Sequence, residues 1–144
     1  MRLKEKDDMI DQAGIMMAQG LGTASERIQG VNDNMSQSHY HEYFEIYYLE
    51  AGERFHMVED QLYHMEQGEF MIFPPYVMHH SYGEKNVPFK RLVLYFTPEE
   101  VLWPSILTEL KEEIGVYQVD IRERQEIHRL MEILLKEQNN PGLH

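Results

Sequence analysis

Between residues 43 and 96 short aromatic and β-branched runs alternate with turn residues, and this rhythm constrains the fold more than any other feature of the chain. The runs cover 43–49, 54–58, 61–65, 69–73, 79–82 and 90–96. Glu59-Asp60 joins the second and third as a hairpin, and Pro74-Pro75 stops the fourth. Short strands recurring at such intervals are the pattern of a sandwich or barrel. The segment 26–97 is therefore expected to be all-β.

The flanks read differently. In 1–25, Met9, Ile10, Ala13, Met16 and Met17 recur at helical spacing, and Gly20 and Gly22 end the run. That predicts a short docking or capping helix. In 98–144, Thr97-Pro98-Glu99-Glu100 has the residues of a helix start, and Pro104 is expected to break or kink the helix beyond it. Asp120 opens a second capping box. Behind it Ile127, Leu130, Met131, Leu134 and Leu135 form an apolar stripe at i, i+3, i+4, i+7 and i+8. Asn139-Asn140-Pro141-Gly142 closes that helix.

Composition removes whole classes of function. At 144 residues the chain has the length of one domain. Its 13 basic and 25 acidic residues leave a net charge of −12, so it repels a phosphate backbone. With no cysteine there is no disulfide, thiolate metal site or thiol nucleophile. No apolar run suits a membrane span, and the charged start MRLKEKDDMIDQ lacks the apolar core of a secretory signal, so the expected compartment is the cytoplasm.

Four of the eight histidines fall at 39, 41, 79 and 80. On a strand His39 and His41 share a face, and Glu45 has the same parity. A closed barrel could bring His79 opposite them. Three neutral imidazoles and a carboxylate suit one divalent cation such as Zn, Fe(II), Ni or Mn. The same histidines could instead be satisfied by hydrogen bonds in a polar barrel interior. His80 has the opposite parity and is expected to face outward. His56 and His64 are expected to form an exposed polar pair across the hairpin.

The spacing His39-x-His41-x-x-x-Glu45, then Gly52, then Gly68, Pro74 and His79, resembles the two cupin motifs. Asp33, Tyr76 and Gly83 depart from that pattern at turns. The blocks HYHEYFEIYYL (39–49) and GEFMIFPPYVMH (68–79) resemble, more narrowly, the N-terminal domain of AraC-type transcription regulators. The resemblance covers about residues 38–142. It implies a mainly β fold, a cupin-type double-stranded β-helix (jelly-roll) barrel with an N-terminal helix and C-terminal helices. It aligns His39, His41, Glu45 and His79 with the cupin metal ligands. The positions then serve one divalent metal that holds an effector, or folding and effector contacts without one.

The resemblance further implies a small-molecule-sensing, dimerising domain, not an enzyme. Its partners would be a small effector and a second copy of the chain. DNA would be bound only through a helix-turn-helix domain missing from this chain, so 98–144 is expected to be a dimerisation segment cut before that domain. Tyr43 and Tyr47 share parity with the candidate ligands and are expected in the effector pocket or as barrel filling. Arg54 and Arg91, if inward, would suit an anionic or hydroxylated effector. Ile127, Leu130, Met131 and Leu134 are the candidate dimer interface, although packing against the barrel is the simpler use of such a stripe. The rival reading is a stand-alone metal-dependent cupin enzyme, a dioxygenase or isomerase.

Overall fold

The computed structural model describes residues 12–31, 38–84, 86–112 and 114–140. Met9, Ile10, Asp33, Pro141 and Gly142 lie outside them. Helix α1 (Gln12–Ala18) leads into β1 (Thr23–Val31). Next come β2 (Phe44–Ala51), β3 (Glu53–Val58), β4 (Gln61–Glu66), β5 (Phe70–Phe73), β6 (His79–Tyr82) and β7 (Pro88–Phe96). A 3₁₀ turn (Pro98–Glu100), helix α2 (Pro104–Lys111), strand β8 (Gly115–Tyr117) and helix α3 (Ile121–Asn139) complete the chain.

The strands form two antiparallel sheets. One has five strands in the order β1-β7-β2-β5-β8, the other three in the order β4-β3-β6. Side chains alternate between faces, as the pleat requires. On β2 and β7 the inward set is Tyr47, Leu49, Phe89, Val93 and Tyr95, packed on Met65, Met71 and Phe73. The outward set is Ile46, Tyr48, Leu92 and Leu94, and it meets α3 through Met131, Ile127 and Leu135.

Several expectations change in this architecture. β1 starts at Thr23, inside the stretch read as helical, because it pairs along nine residues with β7, from Thr23↔Phe96 to Val31↔Pro88. The expected helix at 97 is a single 3₁₀ turn, and the Thr97 side chain does not cap it. Pro104 does not break a helix; it stands at the first turn of α2, where its missing N–H costs nothing. Asp120 does cap α3, its carboxylate accepting the Glu123 N–H at 2.9 Å.

Gly52 makes the turn between β2 and β3 at φ +91°, and a Cβ there would lie 2.6 Å from the Pro88 carbonyl oxygen, so only glycine fits. Next to it Leu49 pairs with Arg91 and Ala51 with Lys90, which leaves Glu50 as a bulge residue. Such a bulge re-aims its side chain. Glu50 faces α3, and Arg27 of β1 donates from Nε and Nη2 to its two oxygens at 2.8 and 2.7 Å. His128 Nε2 lies 2.6 Å from the same carboxylate, and Arg27 also pairs with Glu132. Further along, the Gln138 amide accepts the Ser25 N–H and donates to the Ser25 carbonyl, each at 2.7 Å. This satisfies backbone groups on the edge strand β1, which would otherwise be open to pairing. No described helix is long and apolar enough to cross a membrane.

Candidate functional site

Residues 38–43 run into β2 without forming a regular strand, yet they bring the histidines together. His39 and His79 exchange two backbone hydrogen bonds, at 2.9 and 2.8 Å, as an isolated bridge. The Tyr76 N–H donates to the His41 carbonyl at 2.8 Å and pins the same segment to the β5–β6 loop. Tyr76 does this at φ +66°, a left-handed conformation that disfavours a bulky residue. Tyr76 is one of the positions that depart from the cupin pattern, and its conformation leaves local strain at the site.

His39, His41 and His79 each offer a ring nitrogen within 4.8 Å of the others. His79 is buried, His41 half-buried and His39 exposed, so the cluster runs from interior to surface. Phe73 stacks on His79 at 4.2 Å and Tyr43 on His41 at 4.2 Å, which fixes both rings. Buried Glu45 stands beneath them, its Oε1 at 3.1 Å from His41 Nε2 and 3.6 Å from His79 Nε2.

The protonation pattern tests whether a cation fits. Nδ1 of His41 lies 2.9 Å from the Tyr43 carbonyl and Nδ1 of His79 lies 3.0 Å from the Val77 carbonyl. Carbonyls only accept, so both Nδ1 atoms carry the proton and donate it. In the neutral rings both Nε2 atoms therefore present lone pairs, and they do so toward the Glu45 carboxylate. Acceptor faces acceptor unless a positive charge lies between, supplied by a proton or a metal ion. Burial alone would raise the Glu45 pKa, but the His41 and His79 hydrogen bonds outweigh it and hold the carboxyl well below its usual range. Burial would lower His79, and Glu45 reverses that into a rise. The three histidines thus fit a divalent ion, with backbone carbonyls orienting two of them, while Glu45 reaches His41 and His79 but is not in the group whose ligand atoms all lie within 4.8 Å of one another.

An open cleft of about 490 Å³ lies at this end of the barrel, bounded by Met17 of α1, His41, Tyr43, Tyr76 and Pro98. Of the four residues expected in the effector pocket, only Tyr43 lines this cleft. Tyr47 and Arg54 are buried inside the barrel and Arg91 is half-buried there. The Arg54 guanidinium lies 4.0 Å from the Phe89 ring centroid, and that of Arg91 5.7 Å from the Tyr47 ring. Both arginines therefore face inward.

His56 departs from expectation. It is fully buried, its Nδ1 2.6 Å from Ser81 Oγ and its ring 4.6 Å from Tyr47. Burial pushes its pKa down to about 3, so it is neutral at physiological pH. His64 opposes Phe55, not His56, and lies exposed, 2.5 Å from Glu53. The signal for His56 was its shared parity with Arg54 on one short strand. His80, as expected, is not in the cluster.

On α3, Met131 is buried and Ile127 packs with it against the sheet, while Leu130 and Leu134 are exposed. Met131 is thus taken up within the chain and unavailable to a partner. A second group, Glu50, His128 and Glu132, also has ligand atoms within 4.8 Å. Arg27 already pairs with both of its carboxylates, so the group works as an ion-pair strut between α3 and the sheet.

A cupin protein from Bacteroides fragilis superposes with TM-score 0.52 at 15% identity, over 69% of this chain and 80% of its own. An RmlC-like cupin family protein with a double-stranded β-helix fold, from Methanocaldococcus jannaschii, gives 0.48 at 17% identity over 52% and 70%. No curated protein matches the sequence. The family model described as AraC-like ligand binding domain matches residues 27–142. The barrel is a cupin double-stranded β-helix, and the chain belongs to the AraC-like ligand binding domain family.

Proposed function

We propose that this chain is the small-molecule-sensing and dimerising domain of an AraC-type transcription regulator, not an enzyme. The observation that carries this reading is the division of labour on β2. Its inner face presents Glu45 to the histidine cluster and Tyr47 to the barrel interior. Its outer face seats α3 through Tyr48, and its bulge residue Glu50 holds His128. A ligand that reshapes the inner face can therefore bias how α3 is held, which is the coupling a sensor needs. In this reading effector occupancy controls a helix-turn-helix domain attached in the full regulator. DNA contact belongs to that domain, since a chain of charge −12 repels phosphates. His39, His41, His79 and Glu45 would hold one divalent ion, which would supply a Lewis-acid point for effector oxygens.

The rival reading, a metal-dependent cupin dioxygenase or isomerase, draws on one observation: the histidine cluster reaches the open cleft at His41. One experiment separates the two. Compounds that raise the Tm of the metal-loaded domain are tested on a promoter reporter with the full-length regulator. The sensor reading expects such compounds to change transcription and to be recovered unaltered. Consumption of the compound or of oxygen, with transcription unmoved, would overturn it in favour of the enzyme.

A further inference from the structure

We infer that the effector carries a carboxylate, and that Arg91 binds it inside the barrel with help from His56 and Tyr47. This rests on the sensor reading above and narrows its ligand class. Buried polar atoms are nearly always hydrogen-bonded, so exceptions point to a missing partner. Three of them gather around one ring. Tyr47 Oη, His56 Nε2 and Arg91 Nη1 are all buried without a hydrogen bond of normal geometry. The Tyr47 ring lies 4.6 Å from the His56 ring and 5.7 Å from the Arg91 guanidinium carbon, which sets the three side chains around one ring. His56 is fully buried, so its unpartnered nitrogen is well inside the barrel.

The chemistry of the three is one-sided. Arg91 can only donate. Tyr47 offers a hydroxyl proton. If the Ser81 hydroxyl donates to His56 Nδ1, the imidazole proton sits on Nε2 and that atom donates as well. Because His56 is neutral, it adds a donor without adding a second positive charge to repel the guanidinium. In that tautomer all three atoms donate, and buried Arg54 acts on Tyr47 and His56 together with Arg91, so the place calls for a ligand of several acceptor atoms and negative charge. The buried carboxylates nearby are committed elsewhere. Glu45 serves His41 and His79, and Glu26 accepts the Ala13 N–H at 3.1 Å. Arg91 forms no ion pair with either among the described residues. Glu45 and Glu26 act on Arg91 only through space, and a planar carboxylate would match the two-pronged guanidinium directly, which a neutral polyol cannot do.

Acetate is the probe, with acetamide as its neutral isostere and xylose as a neutral polyol, each titrated against the purified domain at constant ionic strength. The readouts are Tm and calorimetric affinity. Acetate is expected to raise the Tm where acetamide and xylose do not, and Arg91→Gln is expected to weaken acetate about 10- to 100-fold. Arg91→Lys keeps the charge and loses the fork, so it should fold and bind acetate with intermediate affinity; it decides the matter if Arg91→Gln is unstable. Equal shifts by acetate and acetamide, no shift by acetate, or unchanged affinity in Arg91→Lys would overturn the carboxylate assignment. Stabilisation by xylose alone would overturn it while leaving the sensor reading intact. Arg91-dependent acetate binding with no compound moving the reporter would instead sink the sensor reading.

Discussion

At the scale of single residues the molecule is defined by polar groups in an apolar shell. His56 is the clearest case. Its buried ring refuses a proton down to about pH 3, whereas in the unfolded chain it takes one up near 6.5. Below pH 6.5 the unfolded state thus binds more protons, and stability falls as the pH drops toward 3. The contribution is about 1.4 kcal/mol per pH unit across that window. His56→Gln should therefore lose stability more gently than the parent between pH 6.5 and 5, when followed by urea unfolding. Parallel slopes would show that His56 is not the group responsible. The histidine cluster was legible from sequence because His39 and His41 lie two apart and His79 falls at the motif spacing beyond them. His56 was not, because which way a six-residue strand faces depends on its neighbours. Only the pairing of β3 with β6, which sets His56 opposite Ser81, decides that its even-numbered residues point inward. Arg54 and Arg91 stayed open for the same reason.

At the scale of elements, legibility followed local signals. The six runs between 43 and 96 became β2 to β7 with ends shifted by a residue or two, since hydrophobic pattern and turn residues agreed there. β1 was extended backwards by its ladder with β7, not by its own composition; TASERIQGV carries few strong β-formers. β8 is three residues held against β5 and has no pattern long enough to read. The stripe on α3 was visible, but its two sides were not separable without the sheet. Met131 is on the side that docks, in one buried cluster with Tyr48, Phe70 and Leu92. Truncating a buried methionine removes transfer energy and leaves a cavity, costing about 2–5 kcal/mol. Met131→Ala should lower the urea midpoint accordingly, and Leu130→Ala, at 48% exposure, should cost the monomer about 0.5 kcal/mol or less. Equal losses for the two would mean that α3 does not seat on the sheet through Met131.

At the scale of the whole molecule the question is what α3 does with its other side. Leu130, Ile133 and Leu134 are 48%, 41% and 44% exposed, and their i, i+3, i+4 spacing sets them on one face. The proposed twofold dimer would pair this face with its copy, antiparallel, while Met131 and Ile127 keep each helix on its own barrel. Leu134→Glu would then put a carboxylate into the interface of both subunits at once, with the barrel packing untouched. Sedimentation should find the parent at twice 17.2 kDa and the variant at 17.2 kDa, with the same circular dichroism. Charge gives the same test a second axis. Each copy carries −12, so association works against repulsion that salt screens. Raising salt from about 0.05 to about 0.5 M should tighten the parent dimer, because the contact is apolar and the opposition is coulombic. A parent that weakens with salt would point to an interface held by ion pairs. A variant that stays dimeric would place the interface on another surface of the molecule.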